Sequence, residues 1–508
     1  MRAFHPLAVL FSVAFTAALS GCGGGDVPDA GSGEGDPEVQ APAAPAALLE
    51  SVQGLVTAGL GTSQVEANAD ILLDSIGPRI SALESGEQAQ AFALDRFRTY
   101  GLENAGLDPF PLLGWDRQSA SLQAFTPRSP NPVTFPVLSL GHVGSYRVEA
   151  GLLDAGFGTA EEIAALGEQV RGSIVLVSVT SPPDYGRSVH RTEKVTLATR
   201  AGAVGFIQMN ERAGPLIPVG VATIGDEETS IPAVAVDNAS GTQLRDWLAG
   251  GDPVSIELEV ENWMERTEAG NVLGEITGET DEVILVGGHL DSWDLATGAL
   301  DNGSGSLAVL EAARLLAEHV ARTGQRPRRT IRFALWMGEE LGLYGSRDYA
   351  RRLQESGDMA QVRAVLNLDV VGDPTGLGAM GRPEVRDFLR SVAASVSAGG
   401  IPLEEEISSG GGLYSDHQPF LLQGVPIVSI QSRNPPSAAG VGHTADDVRD
   451  HIDEPGIGRS GVTAAALLWT LANVDSFPMA HWQEVRIGEV LTELGLRDPL
   501  ERGGEWRW

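Results

Sequence analysis

Apolar and polar positions change their period twice along this chain. From residues 48 to 110 apolar side chains recur at three- and four-residue spacing, and the chain reads as helical there. Segment 67–76 is one helix, stopped by Gly77-Pro78. Segment 89–100 is another, closed by Gly101. From 132 to 261 short β-branched runs appear at 173–179, 203–208 and 231–236, with a helical piece at 194–201. From 271 to 473 strand-like runs at 282–286, 330–336, 362–368 and 424–430 alternate with helices at 303–320 and 460–472. That alternation predicts an α/β fold: a mixed, mainly parallel sheet between helical layers, with the β-rich middle segment inserted.

The ends of the chain read differently. Arg2 precedes a mainly apolar run from 7 to 19, too short for a membrane span. It ends Leu19-Ser20-Gly21-Cys22, which resembles the lipobox of bacterial lipoproteins. The resemblance implies that Cys22 is lipidated and becomes the N-terminus of an exported, membrane-anchored protein. The destination would be the periplasm, outer membrane or cell surface. Residues 23–46, rich in Gly, Pro and Ala, then read as a tether. The expected division is 1–22 signal, 23–46 tether, 47–131 helical part of the main domain, 132–261 insertion, 262–475 α/β part of the main domain and 476–508 tail.

Composition narrows the function. The 508 residues carry a formal charge of −33, which argues against nucleic acid, whose phosphates need basic patches. The single cysteine rules out an intrachain disulfide. Nothing in the sequence sets an oligomeric state.

The candidate chemistry sits where predicted strands give way to loops. Gly287-Gly288-His289-Leu290-Asp291 follows one strand, and Asp301-Asn302-Gly303-Ser304-Gly305 opens the next helix. Glu339-Glu340 follows a second strand, Asp369 a third, and His443 lies further on. In open α/β sheets ligands bind beyond the carboxyl ends of the strands, so these segments converge on one edge. Two imidazoles and several carboxylates suit zinc, and a pair of divalent cations implies metal-assisted hydrolysis. Asp301, with two oxygens, is placed to bridge two cations. Asp291 is placed to accept the second ring N–H of His289 and so fix its tautomer. One of Glu339 and Glu340 can bind metal while the other serves as general base. His142 and His190 stand alone in the middle segment.

These residues resemble peptidase family M28, in family order: His289-x-Asp291, Asp301–Gly305, Glu339-Glu340, Asn367-Leu368-Asp369 and His443-Thr444. The flanking Gly-Gly-His-Leu-Asp-Ser-Trp-Asp resembles the carboxypeptidase Q branch, and the middle segment resembles the family's inserted protease-associated domain. Gly77-Pro78-Arg79 resembles a stretch in the family's N-terminal helices. The resemblance implies the three-layer zinc-exopeptidase fold and two Zn2+ ions. One would be held by His289, Asp301 and Asp369, the other by Asp301, Glu340 and His443. Glu339 would be the base and Asp291 would orient His289. Ser415–Phe420 matches another family stretch and is expected to be a structural loop. Tyr414 is a candidate oxyanion donor. Leu300 and Gly442 depart from the residues common before the aspartate and the second histidine. The implied activity is an exopeptidase, an aminopeptidase or dipeptidase acting on peptides. The alternatives are a carboxypeptidase, a glutaminyl cyclase with one zinc, or a non-catalytic binding lipoprotein.

Overall fold

The computed structural model describes residues 40–225 and 227–508. Cys22, the signal segment and most of the expected tether lie outside the described residues. The strands are β1 (Glu103–Phe125), β2 (Val133–Phe135), β3 (Leu138–Ser139), β4 (Tyr146–Asp154), β5 (Ile174–Ser178), β6 (Gly205–Met209), β7 (Ala233–Val236), β8 (Ser255–Ile276), β9 (Thr280–His289), β10 (Arg329–Trp336), β11 (Val362–Asn367), β12 (Asp373–Ala379) and β13 (Ile427–Arg433). They hydrogen-bond in the order β12-β13-β11-β9-β10-β8-β4-β5-β6-β7-β3, with β1 on β8 and β2 on β1.

The centre of the α/β half is parallel: β13, β11, β9 and β10 run the same way, flanked by antiparallel β12 and β8. Strands with both faces covered need apolar residues at successive positions, and β9 supplies them, buried from Val283 to His289. Alternate side chains enter different layers. Ile284 and Val286 join the core formed with helices Ser304–Thr323 and Glu454–Asn473. Leu285 joins the opposite core, with Tyr349 and Phe420. That second core also takes Ile487, Leu491 and Leu500, so the C-terminal segment is a structural layer rather than a free tail. At the other end Ala41 and Ala44 are already buried, and the Ala41 N–H donates to the Glu384 carbonyl at 2.8 Å.

The middle segment forms its own unit: parallel β4-β5-β6-β7 with β3 antiparallel at the edge, around Val175, Leu176, Phe206, Ile207 and Val234. The two halves share a spine, the antiparallel ribbon of β1 and β8. Val260 in the first part of β8 pairs with Tyr146, while residues 272–276 pair with β10. The boundary expected between 261 and 262 therefore falls inside one continuous strand. The helical pattern expected to reach residue 110 stops at Tyr100. Gly101 (φ 83°) ends that helix in the left-handed conformation, and the chain enters β1 at Glu103.

Connections set the location of the site. β9 leads through helix Ser304–Thr323 to β10 on one side. β10 leads through helix Tyr344–Ser356 to β11 on the other side of β9. The chain thus reverses direction around β9, the kind of switch point at which a crevice opens beyond the strand ends.

Candidate metal centre

Five segments bring the six residues together. β9 runs to His289 itself, three residues further than the sequence pattern suggests, so the imidazole projects from the strand's last position. Glu339 and Glu340 follow β10 and Asp369 follows β11. Asp301 lies just before helix Ser304–Thr323, and His443 in the loop after β13. The carboxylate of Asp301 is divided between the two imidazoles: Oδ1 is 3.1 Å from His289 Nε2, and Oδ2 is 3.1 Å from His443 Nε2. Asp369 Oδ1 is 3.4 Å from His289 Nε2, and Glu340 Oε2 is 3.2 Å from His443 Nε2. Glu339 Oε2 stands back, 4.0 Å from His289 Nε2.

Glycines make this approach feasible. A side-chain carbon on Gly305 would lie 2.1 Å from the Leu368 carbonyl, and one on Gly288 would lie 2.5 Å from the same oxygen. The helix start, the end of β9 and the end of β11 can meet only because both positions lack a side chain. Asn302 ties them further: its Nδ2 donates to the Leu368 carbonyl (3.0 Å), and its Oδ1 accepts from Val370 N (3.1 Å) and Gly305 N (2.9 Å).

Each imidazole is oriented from behind. His289 Nδ1 donates to the Asp291 main-chain carbonyl at 3.1 Å; the Asp291 carboxylate is 3.7 Å away, beyond hydrogen-bond range. That carboxylate instead accepts from Ser81 Oγ (3.1 Å), Gly338 N (3.0 Å) and Glu339 N (3.3 Å). His443 Nδ1 donates to the Val219 carbonyl at 3.2 Å, and Val219 N donates back to the His443 carbonyl at 2.9 Å. Both rings thus turn Nε2 into the site. His443 has φ 59°, and Val370 and Tyr414 are also at positive φ. Such backbones cost about 1–3 kcal/mol each and persist where the surroundings fix them.

The electrostatics are those of crowded, buried carboxylates. Burial, with the charges of Glu340, Asp416 and Asp369, holds Glu339 well above the usual carboxylate range against the pull of His289. Burial also raises Glu340. Burial opposes the charged form of His289, but Glu339 and Asp369 outweigh it and hold the imidazole well above its ordinary value. Burial opposes ionisation of Asp301, yet the two imidazoles hold it well below the usual range. His289 Nε2, both Asp301 oxygens, Asp369 Oδ1 and Glu340 Oε1 are buried without a hydrogen-bond partner. Buried polar atoms are ordinarily satisfied. A nitrogen-and-oxygen donor set with its lone pairs converging, and with more carboxylates than cations, fits divalent metal ions.

Several contributors stand outside the metal-ligand motifs. Asp447 accepts from Leu300 N (2.6 Å) and Asp301 N (3.1 Å), cradling the peptide beside Asp301. Burial and the charge of Asp301 push it up to about 6. The 415–420 loop also reaches the site. Ser415 Oγ donates to Asp369 Oδ2 at 2.5 Å and accepts from Asn367 Nδ2 at 2.7 Å. Asp416 is buried in the range of His289, Asp291 and Asp369, and burial above all pushes it up to about 7. Tyr414 stacks its ring on His190, centroids 4.1 Å apart and planes 13° apart. His190, solitary in the sequence, thus meets the catalytic half through that ring.

Residues 271–468 match peptidase family M28 and residues 132–244 match the PA domain. Carboxypeptidase Q of Mus musculus is 27% identical over 373 residues, 71% of this chain and 76% of that protein. A peptidase M28 precursor from Shewanella amazonensis superposes with a TM-score of 0.72 at 23% identity, covering 86% of this chain and 99% of that one. A zinc aminopeptidase from Bacillus subtilis does so with a TM-score of 0.61 at 21% identity, covering 83% and 98%. The chain is thus similar in fold to both solved structures, and it carries a peptidase family M28 domain together with a PA domain.

Proposed function

We propose that this protein is a di-zinc exopeptidase, an aminopeptidase or dipeptidase that hydrolyses peptide bonds. The observation that carries the proposal is the division of the Asp301 carboxylate between His289 and His443, each 3.1 Å away. His289, Asp301 and Asp369 would hold one ion; Asp301, Glu340 and His443 would hold the other. When bound, such ions polarise a scissile carbonyl and lower the pKa of the attacking water.

The chain's own residues supply the rest. Glu339, set back from the donor atoms and buried, takes the proton of the attacking water and delivers it to the leaving amine. Asp291 holds the Glu339 amide and, through its carbonyl, the His289 ring. The similarity to carboxypeptidase Q supports a carboxypeptidase as the second candidate. Two donor sets sharing Asp301 speak against a single-zinc cyclase. Supplying zinc to the purified protein and assaying free dipeptides, aminoacyl amides and N-blocked peptides separates the candidates. Cleavage of the first two but not the third is expected, and cleavage of N-blocked peptides alone would favour the carboxypeptidase.

We also infer from the sequence that the enzyme is exported and anchored through lipid on Cys22. No helix among the described residues is long and apolar enough to cross a membrane.

A further inference from the structure

The N-terminal stretch from Gly77 to Ser81 precedes the catalytic sheet by some two hundred residues, yet it lies beneath the metal centre. The Arg79 side chain is fully buried, and its hydrogen bonds go to main-chain carbonyls. Nε donates to Leu290 O (2.7 Å), Nη1 to Gly77 O (2.9 Å) and Thr297 O (2.5 Å), and Nη2 to Gly298 O (2.9 Å). Three of those carbonyls belong to the loop between His289 and Asp301. The Arg79 backbone joins in: its N–H donates to Ser292 Oγ at 3.1 Å, and its carbonyl accepts from Ser292 N at 3.3 Å. Burial lowers the guanidinium to about 10, so it remains charged at neutral pH, with the charges of Asp447, Asp291, Glu340 and Asp301 around it.

Two residues on, Ser81 performs the same service for the other loop. Its hydroxyl accepts from Gly338 N at 2.7 Å and donates to Asp291 Oδ2 at 3.1 Å. Gly338 immediately precedes Glu339, whose own N–H is held by the other oxygen of Asp291. The hydroxyl therefore locks the start of the Glu339-Glu340 turn onto the strand end that carries His289.

We propose that Arg79 and Ser81 are positioning residues of the metal centre: the guanidinium fixes the loop joining His289 to the bridging Asp301, and the hydroxyl fixes the turn that aims Glu339. Neither touches metal or substrate. A loop held at three carbonyls by one rigid fork cannot slide relative to β9, whereas a lysine, with one nitrogen, cannot reach all of them. The two arms have different consequences. Loosening the Arg79 loop shifts Asp301 against both imidazoles and weakens metal binding. Loosening the Ser81 contact leaves the five donor side chains in place but frees the base, and so slows turnover.

The proposal rests on the di-zinc peptidase assignment, and its test separates the two. Arg79→Lys and Ser81→Ala are made in the full chain. Zinc affinity is measured by competition with a chromophoric chelator, the visible spectrum after cobalt(II) substitution, and kcat and KM on a dipeptide. Arg79→Lys should weaken zinc binding by about 10–100-fold and alter the cobalt spectrum, as loss of an outer partner of a metal site does. Ser81→Ala should keep zinc affinity, spectrum and KM while kcat falls by about 10–100-fold. Should Arg79→Lys not fold, Ser292→Ala tests the same loop by removing the hydroxyl bonded to the Arg79 N–H, and it too should weaken zinc. Variants that only melt earlier, with parental zinc affinity, spectrum and kcat, would overturn the proposal. Zinc affinity and the cobalt spectrum need no substrate. A parent protein that binds two zinc ions but cleaves no peptide would sink the peptidase assignment and leave the Arg79 arm to its own result.

Discussion

Glu339 and Glu340 are neighbours in sequence with opposite assignments, and isosteric amides separate them. Glu339→Gln keeps the side chain's volume and leaves the main-chain N–H on Asp291 Oδ1 untouched. Its carboxylate is the one set back, 4.0 Å from His289 Nε2, whereas Glu340 Oε2 is 3.2 Å from His443 Nε2. Glu339→Gln should therefore retain both ions and bind substrate, but lose the proton acceptor. General acid–base catalysis contributes about 10²–10⁴-fold, equivalent to about 3–5 kcal/mol of barrier. Glu340→Gln replaces a charged donor by a neutral amide and should release the ion on the His443 side while the His289 side stays loaded. The assay is zinc content after dialysis together with kcat on a dipeptide, for both variants. Near-parental kcat in Glu339→Gln, or two tightly held ions in Glu340→Gln, refutes the division of labour.

Three other outcomes are expected. Replacing residues 126–254 by a two-residue turn closes the ribbon where Phe125 already faces Ser255, and it removes the Val219 carbonyl from His443. Zinc on the His443 side should weaken by about 10–100-fold, and unchanged affinity there would show that the PA domain does not support that ligand. For pH, Asp447 is raised to about 6 and Asp416 to about 7, and Glu339 and His289 are raised as well. Groups raised in the folded state bind more protons folded than unfolded, so their stabilisation is lost as pH rises through those values. Buried His190, His417 and Lys194 are lowered and act in the opposite sense, so the effect is read as a difference: the Tm of chelator-treated Asp416→Asn relative to the parent should rise between about pH 4 and 7, and a constant difference would contradict the burial argument. Finally, Cys22→Ser should abolish lipid attachment and move the protein from the detergent to the aqueous phase, and unchanged partition would point to ordinary secretion.

The ligand-bearing half was legible in the sequence because parallel strands buried on both faces read as apolar runs, and their ends carry the chemistry. His289, Glu339, Glu340 and Asp369 follow from that pattern, whereas Asp301 opens a helix and His443 lies in a loop well beyond the last strand, so that only the family resemblance pointed to its role. The shared ribbon was not legible. β1 contains Gly106, Pro109, Pro111 and Gly114, which break strand alternation, and only pairing along β8 makes it a strand. The supporting residues were hidden for another reason. Gly77-Pro78-Arg79 was recognised as a stretch, but Arg79 and Val219 meet loops more than two hundred positions away through main-chain carbonyls, which leave no trace in residue type. Asp447 lies close to the His443-Thr444 motif and Ser415 within a recognised stretch, but their roles depend on which amide or carboxylate they face.

The central claim is that one carboxylate, Asp301, joins two cations. Anomalous scattering at the zinc edge from zinc-loaded crystals tests it most directly. The account predicts two peaks about 3.5–4 Å apart, one on each side of the Asp301 carboxylate, and the loss of both in Asp301→Ala. A single peak at full occupancy, or two peaks that survive Asp301→Ala, would contradict it.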